Sequence, residues 1–172
     1  MSDVPSGTVI DIRVDSTDVT STKTATLTIS SGSMSYVLTI EQGAASKYIT
    51  LNPTSFSFAY GGGSSTLGID VNSDLSWSAS SNQSWLTLSP TSGTGARGIT
   101  VTAGSNSTTS SRPATITVSA SGVTSETASV TQDPKPYLTV SPLSVSTTSA
   151  AKYNGSVSVS SNTAWTVSTN VS

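Results

Sequence analysis

The chain has 172 residues, a formal net charge of −2, and neither cysteine nor histidine. That length allows one large or two small domains. The missing residue types exclude disulfides, thiolate metal sites and a histidine general base.

The basic residues Arg13, Lys23, Lys47, Arg97, Arg112, Lys135 and Lys152 are scattered and form no patch, so nucleic acid is not an expected partner. Ser and Thr make up roughly two residues in five. Such a composition suits either a disordered stalk or an all-β chain whose outward strand positions are Ser or Thr. Regular apolar alternation decides for the strands.

In chain order, Met1-Ser-Asp-Val-Pro-Ser-Gly carries neither the basic nor the apolar region of a signal peptide. No apolar run is long enough to span a bilayer, so no membrane partner is expected. The chain reads as a protein used without signal-peptide export, or as a piece of a secreted one. Residues 8–15 set Ile10, Ile12 and Val14 against Asp11, Arg13 and Asp15, the pattern of a half-buried strand. Residues 23–30, with Ala25, Leu27 and Ile29 inward, and residues 34–41, with Tyr36, Leu38 and Ile40 inward, flank Ser31-Gly32 and predict a hairpin.

Tyr48-Ile-Thr-Leu-Asn-Pro and Ser55-Phe-Ser-Phe-Ala read as an edge strand that Pro53 splits in two. Strands follow at 65–71, 75–80 and 85–88, then a loop, Pro90-Thr-Ser-Gly-Thr-Gly, then strands at 97–103, 113–120 and 126–132. Asp133-Pro-Lys-Pro reads as a stiff linker. Tyr137-Leu-Thr-Val-Ser-Pro restarts the pattern, with strands near 155–159 (Val157, Val159) and 163–168 (Trp165, Val167). Short strands at this spacing, without helical periodicity, predict a β-sandwich.

The chain also repeats itself. Tyr48-Ile-Thr-Leu-Asn-Pro matches Tyr137-Leu-Thr-Val-Ser-Pro at an offset of 89, and Ile69-Asp-Val-Asn-Ser-Asp-Leu-Ser-Trp77 matches Val157-Ser-Val-Ser-Ser-Asn-Thr-Ala-Trp165 at 88. Upstream, Ala25-Thr-Leu-Thr-Ile matches Ala114-Thr-Ile-Thr-Val at 89, and Ile40-Glu-Gln matches Val130-Thr-Gln at 90. Residues 1–47 are then the back half of a repeat, 48–136 a complete one and 137–172 the front half of another. The expected fold is all-β, a tandem of immunoglobulin-like β-sandwiches. A half-sandwich exposes its core face and its strand edges. The halves could close within one chain, complete one another between chains by strand exchange, or belong to a longer array.

The central block resembles the BACON domain, an immunoglobulin-like β-sandwich of Bacteroidetes surface proteins and of phages that infect them. The residues that carry the resemblance are Leu51-Asn-Pro-Thr-Ser-Phe-Ser-Phe, Asn72-Ser-Asp-Leu-Ser-Trp77, Ser84-Trp-Leu-Thr-Leu-Ser-Pro-Thr-Ser-Gly93, Arg112-Pro-Ala-Thr-Ile-Thr-Val and Val130-Thr-Gln132. The last two recur, weakened, in 25–42 and the first two in 137–165. The resemblance implies a module that binds carbohydrate of the mucin type or serves as a spacer. Family members usually sit behind a lipoprotein signal peptide. Met1 here leads into polar residues instead, as a virion protein made in the cytoplasm would.

Trp77 and Trp165 alternate with Ser and Thr and take the inward position of a sandwich strand, so they read as core, as does Trp85. Tyr60 and Tyr153, each beside a Gly- or Asn-containing turn, are the candidate ligand-binding residues, exposed rings on which a sugar could stack. Asp11, Asp15, Asp18, Asp70 and Asp74 lack calcium-loop spacing and read as solvated surface. No G-x-S-x-G elbow or complete phosphate loop is present. The chain therefore reads as a non-enzymatic structural and adhesive module without a cofactor or metal. It would be displayed on a phage virion, as capsid decoration or fibre, or on a cell surface. Its expected partners are other copies of itself or other virion and surface proteins, joined by strand exchange, and mucin-type glycans.

Overall fold

The computed structural model describes residues 7–148 and 155–170. The first element is a hairpin of β1 (Lys23–Ser31) and β2 (Met34–Gln42), turned by Gly32 at φ 57°. Glycine alone takes that conformation without steric cost. A sandwich follows. One sheet holds β3 (Ile49–Asn52), β5 (Gly63–Val71), β7 (Leu86–Ser89) and β9 (Arg97–Ala103), in the order β3-β5-β9-β7. The other holds β4 (Ser55–Phe58), β6 (Ser76–Ser81), β8 (Ser92–Thr94), β10 (Arg112–Ala120) and β11 (Glu126–Gln132), in the order β4-β11-β10-β6-β8. A second hairpin, β12 (Leu138–Ser141) with β13 (Ser158–Ser161), follows the linker.

The alternation read from sequence is what builds this core. Leu67, Ile69 and Val71 of β5 and Ile99 and Val101 of β9 point inward from one sheet, and Ile116, Val118, Ala128, Val130 and Trp77 meet them from the other. Their neighbours along each strand are Ser and Thr, whose hydroxyls pair across the outer face, as Ser64 with Thr102 and Ser76 with Thr94, both at 2.9 Å. Each sheet has its two edges made by split strands. The chain passes from β3 to β4 at Pro53 and from β7 to β8 at Pro90, changing sheets both times. Proline has no N–H to give a ladder, so a strand ends there and the chain is free to turn across. Both prolines follow cis peptide bonds, as does Pro142.

The segment expected to be a loop at Pro90–Gly95 thus contains a strand. Three residues of β8 pair with β6, and Gly93 lies opposite Trp77. A Cβ at Gly93 would stand 2.7 Å from the indole Cζ2, so only glycine lets this strand pass over the ring. Pairing depends here on close backbone approach, and hydropathy cannot show that.

The flanks depart further from expectation. Residues 8–15 and 163–168 alternate like strands but form none, and the expected strand at 155–159 lies at Ser158–Ser161. The reason is the missing ladder. The counterpart of 8–15 is β9, which lies between β5 and β7; the counterpart of 163–168 is β6, which lies between β10 and β8. No described flank strand takes either neighbour's place. Trp165, expected in the core, is 52% exposed, whereas Trp77 is 3% exposed.

The β12–β13 ladder sets Val140 opposite Val159, as β3–β5 sets Leu51 opposite Ile69. Over this strand the repeat offset is therefore 90 rather than 88, and the difference falls in the turn before Trp165. The β1–β2 ladder reproduces that of β10–β11: Ala25↔Ile40 corresponds to Ala114↔Val130 and Leu27↔Leu38 to Ile116↔Ala128.

Candidate functional site

Two poles of the sandwich concentrate its polar chemistry, one where the chain enters β3 and one where it leaves β11. At the entry pole the buried Asn72 acts as a tie. Its Oδ1 accepts from the Tyr48 N–H at 3.1 Å, and its Nδ2 donates to the carbonyls of Ser46 at 3.1 Å and Asp18 at 2.7 Å. Around it, Thr20 N–H donates to the Asp74 carboxylate at 2.8 Å and Lys47 Nζ donates to the Ser121 carbonyl at 2.9 Å. The segments before and after the first hairpin are thereby fastened to the sandwich.

Asp18 accepts from the Ser73 hydroxyl at 2.7 Å and from the Ser73 N–H at 3.1 Å. The hydroxyl bond, more than any other contact, holds the Asp18 carboxyl below its ordinary value. A lowered carboxylate pKa means that this tie is in full force above the ordinary value, about pH 4, and is lost as pH falls through the lowered one. The Ser73 amide proton shift should therefore hold steady from pH 8 to about 4 and then move. In Asp18→Asn that step should vanish. A step that persists in the variant would assign it to another group.

At the exit pole Gln132, 0% exposed, takes the same part. Its Nε2 donates to the carbonyls of Ala59 at 3.1 Å and Gly104 at 2.9 Å, and its Oε1 accepts from Arg112 Nε at 2.8 Å. Arg112 also donates to the Gly104 and Ser105 carbonyls and lies 4.3 Å from the centre of the Trp85 ring. Asn106, also buried, donates from Nδ2 to the carbonyls of Ser110 and Asp133, fixing the start of the linker. Among the described residues every buried side-chain nitrogen and oxygen has a hydrogen-bond partner.

Of the sequence-predicted residues, Tyr60 stands at this pole. Its carbonyl accepts from the Asn106 N–H at 2.7 Å, and the residue is 46% exposed beside Gly61, next to which there is open space. Tyr153 lies outside the described residues. Trp77 is core and donates from Nε1 to the Gly95 carbonyl at 2.9 Å. Trp85 is half-buried against the core, with Arg112 over its ring. The aspartates do not gather. Asp18 and Asp74 serve the entry pole and Asp70 accepts from the Tyr48 hydroxyl at 3.4 Å. Among the described residues no group of three or more acidic side chains is placed to hold a metal ion. No described helix is long and apolar enough to cross a membrane.

Asn72, Asn106 and Gln132 were not singled out by sequence. Recurrence is the signal that finds Asn72 and Gln132. Asn162 repeats Asn72, accepting from the Tyr137 N–H at 3.0 Å and donating to the Lys135 carbonyl at 2.9 Å. Gln42 repeats Gln132, donating to the Asp15 carbonyl at 2.7 Å.

No curated protein matches the chain. Among solved structures, a Bacteroides ovatus GH5 xyloglucanase in complex with a XXXG heptasaccharide is 31% identical at a TM-score of 0.48, the match taking in 52% of this chain and 19% of that one. WR4, a C. elegans MSP family member, is 17% identical at a TM-score of 0.36, over 51% of this chain and 97% of that one. This chain thus spans about a fifth of the xyloglucanase's length. The viral BACON domain model matches residues 48–134, the whole sandwich from β3 to β11, and so this chain belongs to the viral BACON domain family.

Proposed function

We propose that the chain is a non-enzymatic structural and adhesive module on the surface of a virion of a Bacteroidetes phage, as capsid decoration or a fibre component. The observation that carries this is the match to the viral form of the BACON domain over the whole sandwich. BACON domains are non-catalytic modules. The polar chemistry at both poles is spent on fastening the chain to itself, in keeping with a load-transmitting or spacing role. The test is protein mass spectrometry and immunogold labelling of purified particles of the phage that encodes the chain. Label on the outside of particles is the expected result. Recovery of the chain from the host surface and not from particles would overturn the virion role. It would favour the other reading, a carbohydrate-binding or spacer module of a secreted Bacteroidetes surface protein.

The exposed ring of Tyr60 favours a glycan-binding contribution in either setting. Stacking of a pyranose on one aromatic face is worth on the order of 1 kcal/mol, so Tyr60→Ala should weaken binding to a mucin-type glycan array by about fivefold to tenfold. Unchanged binding would remove Tyr60 as the site.

A further inference from the structure

The sandwich meets a flank at each pole, and the two junctions share one plan. At each, a linker N–H donates to a loop carbonyl before it, Ala45 to Val19 at 3.0 Å and Lys135 to Thr108 at 2.7 Å. At each, an asparagine beyond the linker accepts from a tyrosine N–H and donates to a linker carbonyl. Asn72 does so with Tyr48 and Ser46, and Asn162 with Tyr137 and Lys135. The additions to that plan differ. We infer that the β5–β6 and β10–β11 turns dock the preceding flank and set its direction through side chains, whereas the following flank is directed by a proline-braced linker. This holds whether or not the chain is a virion component, so the particle test and the test below fail separately.

The first linker is too soft to set a direction. Gly43-Ala-Ala-Ser-Lys47 has five residues, with a glycine and no proline, and such a segment is flexible. Direction comes from contacts that bypass it. Asn72 Nδ2 donates to the Asp18 carbonyl at 2.7 Å. Ser73 donates to the Asp18 carboxylate from its hydroxyl at 2.7 Å and its N–H at 3.1 Å. Thr20 donates to the Asp74 carboxylate from its N–H at 2.8 Å and its hydroxyl at 3.2 Å. One carboxylate stands on the flank and the other on the sandwich, and each takes two donors from across the joint. Paired bonds to a carboxylate fix orientation as well as distance. Lys47 adds an anchor at another turn. Its Nζ donates to the Ser121 carbonyl at 2.9 Å, and its stem lies against Gly122, where a Cβ would stand 3.4 Å from the lysine Cδ. A flank gripped at two turns resists pivoting about either.

The second junction is built otherwise. By the repeat, Ser107 stands where Asp18 does and Pro136 where Lys47 does. The chain reaches Trp165 from Asn162 two residues sooner than it reaches Trp77 from Asn72, and that shorter turn carries no carboxylate. Among the described residues no hydrogen bond joins the 104–111 loop to it. The linker Asp133-Pro-Lys-Pro136 has four residues. Lys135 alone does what Ala45 and Ser46 share, donating backward and accepting forward. Pro134 and Pro136, on either side of it, each hold φ near about −65° and restrict the residue before. Covalent stiffness here takes the place of the side-chain clasp.

The experiment uses the full 172-residue chain, whose lack of cysteine lets pairs of spin labels be placed without background. Thr28→Cys in β1 with Thr100→Cys in β9 reads the first junction, and Thr100→Cys with Ser160→Cys in β13 reads the second; all three positions are exposed. Both distance distributions should be narrow. Asp18→Ala, Lys47→Ala and Asp74→Ala together should roughly double the width across the first junction and leave the second unchanged. Pro134→Gly with Pro136→Gly should do the reverse. A broad distribution in either labelled parent overturns the inference. So does a triple variant of unchanged width at the first junction, or a proline variant of unchanged width at the second. Asp18, Lys47 and Asp74 are exposed, so the amide spectrum of the sandwich should persist in the triple variant. Its loss would mean that these contacts maintain the fold rather than direct the flank, and the docking role would fall.

Discussion

Trp77→Ala is expected to lower the stability of the central sandwich by about 3–5 kcal/mol, read as a shift in denaturant midpoint at constant slope. A domain of this size has a total of roughly 5–15 kcal/mol, so the variant should lie close to unfolding at moderate temperature. The effect is large because the indole does three things at once. It fills the space between the sheets, it donates to the Gly95 carbonyl, and it forms the surface on which β8 rests at Gly93. Removing it opens a cavity and also loosens the edge strand. Trp165→Ala supplies the internal control. In dilute monomer, with half of its surface already in water, the change should fall within about 0.5 kcal/mol. A midpoint shift below about 1 kcal/mol for Trp77→Ala would mean that the sheets close without the indole.

The contrast between the two tryptophans also shows how far sequence reaches in this protein. Alternation correctly assigned the inward faces of β5, β9, β10 and β11, because each of those strands has ladder partners on both sides. The same alternation at Ile10, Ile12 and Val14 produced no strand. Period-two patterning states which face a segment would bury once paired, and the partner must come from elsewhere in the chain or from another one. The split at Pro53 was legible because proline removes a donor. The strand at Ser92–Thr94 was not, since its one informative residue, Gly93, is defined by the ring beneath it. Polar ties are the least legible feature. Asn72 and Gln132 are as hydrophilic as any surface residue, and only their recurrence at Asn162 and Gln42 marks them as structural. Tyr60 was read as exposed beside a turn, and it is.

Gln132 gives the second large effect. Gln132→Leu keeps the approximate volume and removes every hydrogen bond of the side chain, so the carbonyls of Ala59 and Gly104 and the Arg112 guanidinium each lose a partner. A buried polar group left unsatisfied costs about 1–3 kcal/mol, and some of these groups can turn to water at the pole, so a loss of roughly 2–4 kcal/mol is expected. The damage should be local in character. The Asp133 linker is pinned within the same network, through the Asn106 amide and through its own N–H on the Phe58 carbonyl, so hydrogen exchange at Asp133 and Lys135 should speed up more than at the centre of β10. Gln42→Leu removes the corresponding side chain from the first hairpin. It breaks the bond to the Asp15 carbonyl and should cost less than about 1 kcal/mol. If Gln132→Leu and Gln42→Leu shift stability equally, the bonds of Gln132 to Ala59 and Arg112 add nothing beyond a single carbonyl contact.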